Sequence, residues 1–99
     1  HEIEAVEISN EQLINYTIAG PICESTDIFR KNISMPKQKV NNLIAIKDTG
    51  AYGKVMSSNY NSRGTPIEIL VKEDNFFVIY KPLSTKELIN QDMIPEWLN

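Results

Sequence analysis

Apolar and polar residues alternate most regularly in Ile14-Asn15-Tyr16-Thr17-Ile18, where the larger apolar side chains fall every second position. Successive side chains of an extended strand point to opposite faces, so this spacing predicts a half-buried strand. Ile3, Val6 and Ile8, set among acidic residues, predict an earlier strand within residues 2–8. Gly20-Pro21 ends the alternation. Residues 23–32 are mixed and polar, and they read as a loop with one helical turn at most, running to Met35-Pro36. Leu43-Ile44-Ala45-Ile46 is a short continuous apolar run, the mark of a buried strand. Asp48-Thr49-Gly50 interrupts it, and residues 51–58 resume an extended pattern.

Further on, residues 59–64 are dense in turn formers. Residues 67–71 and 76–80 are two strand-like runs joined by Lys72-Glu73-Asp74-Asn75, which predicts a hairpin. Ser84-Thr85-Lys86-Glu87 has the spacing of a capping box, so a short helix should run from there to about Asp92. The expected fold is mainly β: a partial barrel or sandwich of antiparallel strands with a short terminal helix. There is no internal repeat or low-complexity tract.

Composition narrows the function. Ninety-nine residues suit one small domain, and a compact chain of this size buries roughly 60–65% of its unfolded surface. The net charge of −3 and the lack of a Lys/Arg block argue against a nucleic-acid partner. No apolar run approaches the length needed to cross a bilayer, and the acidic start is not that of a signal peptide. Opening on His1 rather than Met, the chain reads as a trimmed piece of a longer polypeptide. The single cysteine excludes an internal disulfide framework and fits a reducing cytoplasm. With His1 as the one histidine, neither a His-based metal site nor a Ser–His–Asp triad can form within the chain.

Two places carry candidate chemistry. Gly20-Pro21-Ile22-Cys23-Glu24-Ser25-Thr26-Asp27 gathers a thiol, two carboxylates and two hydroxyls after a strand. A thiol beside a carboxylate in a loop can serve proton transfer; equally, Cys23 can be a small buried hydrophobe and Glu24 a solvated charge. Tyr52 stands between Gly50 and Gly53. It is either a strand tyrosine packed in the core or a phenol with its tip exposed, the glycines letting a ligand or backbone come close.

Taken together, three segments change the picture. Gly-Pro-Ile-Cys-Glu-Ser-Thr-Asp at 20–27, Asp-Thr-Gly-Ala-Tyr-Gly at 48–53 and Met-Ser-Ser-Asn-Tyr-Asn-Ser-Arg at 56–63 resemble, in that order and spacing, the diaminopimelate decarboxylases. Met35-Pro36 and Pro66-Ile67-Glu68-Ile69-Leu70-Val71 extend the resemblance over most of residues 20–71. The sequence departs from the family at Asn41-Asn42, in place of Gly-Asp, and at Gly64-Thr65, in place of Pro-Arg.

The resemblance implies a C-terminal β domain whose full parent adds an N-terminal (β/α)8 barrel holding pyridoxal 5'-phosphate. That cofactor takes up the electrons left when CO2 departs from meso-diaminopimelate, and protonation at Cα then yields L-lysine. It further implies a homodimer with shared active sites. Cys23 would lie beside the reacting centre as a catalytic residue, and Glu24 would bind the distal amino group of the substrate. Tyr52 would touch both substrate and cofactor phosphate. The family's Schiff-base lysine belongs to the barrel. Lys31, Lys37, Lys39, Lys47, Lys54, Lys72, Lys81 and Lys86 read as surface charges, so these 99 residues alone should be inactive. Two other readings stay open: a domain of a related decarboxylase for another basic amino acid or polyamine precursor, and a non-catalytic β module for dimerisation.

Overall fold

The computed structural model describes residues 1–98, among which are six strands and one α-helix: Ile3–Ala5 (β1), Leu13–Ala19 (β2), Ile28–Pro36 (β3), Ile44–Ile46 (β4), Glu68–Lys72 (β5), Asn75–Tyr80 (β6) and Thr85–Ile89 (α1), with short 3-10 turns at Tyr60–Ser62 and Glu96–Leu98. The strands pair as three antiparallel two-stranded ribbons, β1 with β4, β2 with β3 and β5 with β6, and no barrel closes among the described residues. The chain divides into two units, His1–Thr49 and Gly50–Asn99. The mainly β expectation, with a short terminal helix, is met.

The first unit is built on β2 and β3. Along β2 the half-buried residues are Ile14, Tyr16 and Ile18, the positions the alternation marked. The partner strand is a departure from expectation. Residues 28–32 were expected to be loop and instead form half of a nine-residue strand. Pairing runs from Leu13↔Pro36 to Tyr16↔Ile33, then steps to Ile18↔Arg30 and Ala19↔Ile28, so β3 carries an extra residue at two successive places. Asn32, inside the first irregularity, adopts φ 54, a conformation that asparagine tolerates better than most residues. Bulges of this kind shift the side-chain alternation and hide a strand from a period-two reading. The same unit holds the β1–β4 ribbon, with Ile3↔Ile46 and Ala5↔Ile44, and β1 also lies against β3. Lys47 pairs there with Glu4 at 2.8 Å and Glu2 at 3.6 Å.

In the second unit, residues 51–56 form turns where an extended segment was expected. The amide of Met56 donates to the carbonyl of Tyr52 at 2.9 Å, and Ser57 donates to Lys54 at 3.0 Å. The hairpin is present, its strands running one residue further into the turn on each side, with Glu73 at φ 53 in the tight connection. The capping box is formed as expected. Ser84 Oγ accepts the Glu87 amide at 3.2 Å, and the Glu87 carboxylate accepts the Ser84 amide at 2.7 Å. The helix ends at Ile89 rather than near Asp92. Gln91 and Asp92 donate to Leu88 and Ile89 three residues back, so the chain continues as turn.

Ile3, at 6% exposure, and Met35, at 4%, are the buried apolar residues among those described. The run at 43–46, expected to be buried, has Leu43 and Ile44 exposed. Opposed pairs on β5 and β6, Ile69↔Val78, Leu70↔Phe77 and Val71↔Phe76, are apolar and exposed on both faces of the ribbon. The accessible surface is 8935 Å². Two separate compact bodies of half the mass each would together expose about 6,900 Å². The excess is surface that folding within each unit does not cover, and the exposed apolar side chains of β5 and β6 are among it.

The position of a side chain in this scheme sets its effect on stability. Met35→Ala should cost about 2–3 kcal/mol in denaturant unfolding of the isolated chain, since it leaves a cavity at a buried site. Val71→Ala should cost less than about 0.5 kcal/mol, as expected for an exposed site. Equal losses would mean that the β5–β6 ribbon has a cover of its own in these residues.

Candidate functional site: the loop between β2 and β3

Residues 20–27 join β2 to β3, and the loop is tied at its base. The Gly20 amide donates to the Asp27 carbonyl at 2.9 Å, and the Asp27 amide donates to the Glu24 carbonyl at 3.1 Å. The Asp27 carboxylate turns inward and accepts the Ile22 amide at 2.9 Å. A Cβ on Gly20 would overlap that carboxylate, so glycine is what lets Asp27 fold back across the loop. Ile22 and Asp27 are half-buried, while Cys23, Glu24, Ser25 and Thr26 are exposed at the tip.

Within the tip, Glu24 is turned toward its successors. Its carboxylate accepts the Thr26 hydroxyl, the Thr26 amide at 3.1 Å and the Ser25 hydroxyl at 3.5 Å. These donors, the Thr26 hydroxyl foremost, hold the Glu24 carboxyl below its ordinary value and keep it a carboxylate. Cys23 is a free, exposed thiol rather than a buried hydrophobe. The first unit thus brings Cys23 and Glu24 together on one braced loop. Gly20 and Asp27 belong to the 20–27 motif, and their bracing role emerges only with the fold. The signal available was a glycine and an aspartate closing a loop between two strands.

Tyr52 belongs to the second unit. It is 69% exposed and lies in a turn, which removes the reading of a strand tyrosine packed in a core. A Cβ on Gly50 would meet nothing within 4 Å in this chain. Neither glycine flanking Tyr52 has positive φ, so the backbone does not require glycine there. Openness at Gly50 is the property that remains.

The described residues do not make a cofactor site by themselves. Anchoring an aldehyde cofactor needs a lysine able to lose its proton. None of the eight lysines is buried. Lys47 is held protonated, its pKa raised first by the bond to Glu4 and further by Glu2. Two shallow hollows in the first unit, beside Lys37 and Asn42 and beside Ile3 and Met35, include none of Cys23, Glu24 or Tyr52. No His/Cys/Asp/Glu cluster suited to a metal is present among the described residues, and no described helix is long and apolar enough to cross a membrane.

Residues 1–50 match the family described as "Pyridoxal-dependent decarboxylase, C-terminal sheet domain". The chain belongs to this family. It is 48% identical over 83 residues to a diaminopimelate decarboxylase of Archaeoglobus fulgidus, covering 84% of this chain and 20% of that protein. A diaminopimelate decarboxylase of Zymomonas mobilis is 41% identical over 98 residues, covering 99% of this chain and 23% of the relative. The crystal structure of the M. jannaschii diaminopimelate decarboxylase in co-complex with L-lysine matches with a TM-score of 0.92 at 36% identity, over 100% of this chain and 23% of that one. The chain therefore spans about a fifth of the length of these relatives.

The Glu24 bonds can be tested directly. Thr26→Val removes the strongest donor, and the Glu24 side-chain carboxyl should then titrate closer to its ordinary value in a carbon-detected NMR titration. The ordering that these bonds bring to the loop is full above the ordinary carboxylate pKa and is lost as pH falls through the lowered one. The Thr26 amide shift should follow the same curve. An unaltered Glu24 titration in Thr26→Val would show that the hydroxyl is not what holds it down.

Proposed function

We propose that this chain is the C-terminal domain of a diaminopimelate decarboxylase, converting meso-2,6-diaminopimelate to L-lysine and CO2 in a cytoplasmic homodimer with shared active sites. Pyridoxal 5'-phosphate is held mainly by an N-terminal barrel outside these residues. The observation that carries this reading is the braced loop at 20–27, which offers a thiol and an ionised carboxylate on consecutive residues of an exposed tip. Relatives of that name, at 48% and 41% identity, support the substrate class. The uncovered apolar faces of the β5–β6 ribbon support a domain made to be covered by more protein.

In this reading the roles divide by chemistry. The Cys23 thiol gives its proton to the substrate Cα once CO2 has left, and the resulting thiolate regains a proton from solvent. Glu24, already a carboxylate, accepts charge-assisted hydrogen bonds from the distal ammonium group of the substrate. Substrate binding exchanges its bonds to Ser25 and Thr26, in part, for that ammonium. Tyr52 contributes its phenol to the substrate and to the cofactor phosphate.

Cys23→Ala in the full-length enzyme should lower kcat by about 10²–10⁴-fold, the usual contribution of a general acid, with a much smaller change in KM. An unchanged kcat would remove the thiol from the reaction.

Sharing of sites has its own signature. A full-length Glu24→Ala variant and a variant lacking the barrel's lysine should each be nearly inactive. Mixed equally and allowed to exchange subunits, they should recover activity in about a quarter of all sites, because half of the dimers are hybrids and each hybrid has one intact site. No recovery despite proven exchange would place Glu24 in its own subunit's site or in none.

A further inference from the structure

The turn that carries Tyr52 is closed by local bonds, from the Met56 amide to the Tyr52 carbonyl and from the Ser57 amide and hydroxyl to the Lys54 carbonyl. Short turns held in this way open easily unless something anchors them. The anchor is Lys54, two residues beyond Tyr52. Its ammonium lies 3.7 Å from the centroid of the Tyr80 ring. It also lies 3.5 Å from a carboxylate oxygen of Glu68, with both charged side chains only about one-third exposed. Glu68 opens β5, Tyr80 closes β6, and the two face each other across the ribbon. The Tyr80 hydroxyl in turn lies 3.4 Å from Thr65 Oγ1. One cation therefore ties the turn to both strands at the same end of the hairpin, through a ring face on one strand and a carboxylate on the other. Partial desolvation strengthens both contacts.

The geometry points to Lys54 as a positioning residue: by clamping the turn to the Glu68–Tyr80 end of the ribbon, it sets where the Tyr52 phenol is presented to its ligand. This rests on the reading that Tyr52 meets substrate. Lys54 itself touches neither substrate nor cofactor, and its effect reaches the reaction through Tyr52 alone.

The test compares Tyr52→Phe, Lys54→Arg, Lys54→Met and the Tyr52→Phe/Lys54→Met double variant in the full-length holoenzyme, with steady-state kinetics and thermal midpoints for each. Lys54→Met should raise KM by about fivefold with a smaller change in kcat, in keeping with the loss of a partly desolvated cation–π contact and its ion pair. Lys54→Arg keeps a cation that can stack on Tyr80 and pair with Glu68, and should stay within about twofold of the parent. Tyr52→Phe should raise KM in the parent and add little in the Lys54→Met background, because a misplaced phenol has no contact left to lose. If Tyr52→Phe raises KM while Lys54→Met does not, Tyr52 keeps its role and the clamp is refuted. Fully additive effects, with a drop in thermal midpoint for Lys54→Met, would make Lys54 a structural residue and also refute it. Parent-like kinetics for Tyr52→Phe would overturn both the ligand contact and the clamp.

Discussion

Antiparallel pairing of Leu13–Ala19 with Ile28–Pro36 is the contact on which the first unit depends. With Ile3 and Met35 alone as buried apolar residues among those described, side-chain packing contributes little, and backbone ladders fix the positions of the segments. The pairing also fixes the ends of the loop at 20–27, whose base closes through Gly20 and Asp27 directly beyond the last register pair, Ala19↔Ile28. Displacement of β3 by one residue would move Asp27 away from Gly20 and Ile22. Cys23 and Glu24 would then have no fixed base. The two bulges in β3 absorb the extra residues and let the strand reach that closing register.

A shortage of core and an abundance of exposed apolar surface have a common cause. A ribbon that is apolar on both faces suits a layered structure with neighbours on each side, and an isolated two-stranded hairpin is marginal in water. Phe76, Phe77, Leu70 and Val71 are all well exposed, and unpaired edges flank them. The chain spans about a fifth of the length of its relatives, and these faces have no cover among the described residues.

The candidate site follows a similar economy. Glu24 is kept ionised by neighbours one and two residues away, so its charge state is set within the loop and does not depend on distant packing. Among the described residues the Tyr52 side chain has no such local donors, and Lys54, two residues on, meets Tyr80 and Glu68 instead.

Several features were legible in the sequence because they are local. The alternation at 14–18, the Ser84–Glu87 capping box, the hairpin at 67–80 and the chemistry-bearing motif at 20–27 each express a rule acting over a few residues. The strand at 28–36 was not legible, since its bulges shift the period and its partner, not its own pattern, makes it a strand. The turn at 51–56 was misread for a related reason: its apolar side chains, Val55 and Met56, suggest burial in a strand, whereas they are exposed on a helical-type turn. Tertiary structure alone decided the contacts between segments far apart in the chain. That Lys54 finds Glu68 and Tyr80 depends on the spatial meeting of segments whose separation along the chain carries no periodic signal. The sequence by itself determined the chemistry of the side chains and their local elements, whereas their mutual placement came from backbone pairing between distant segments.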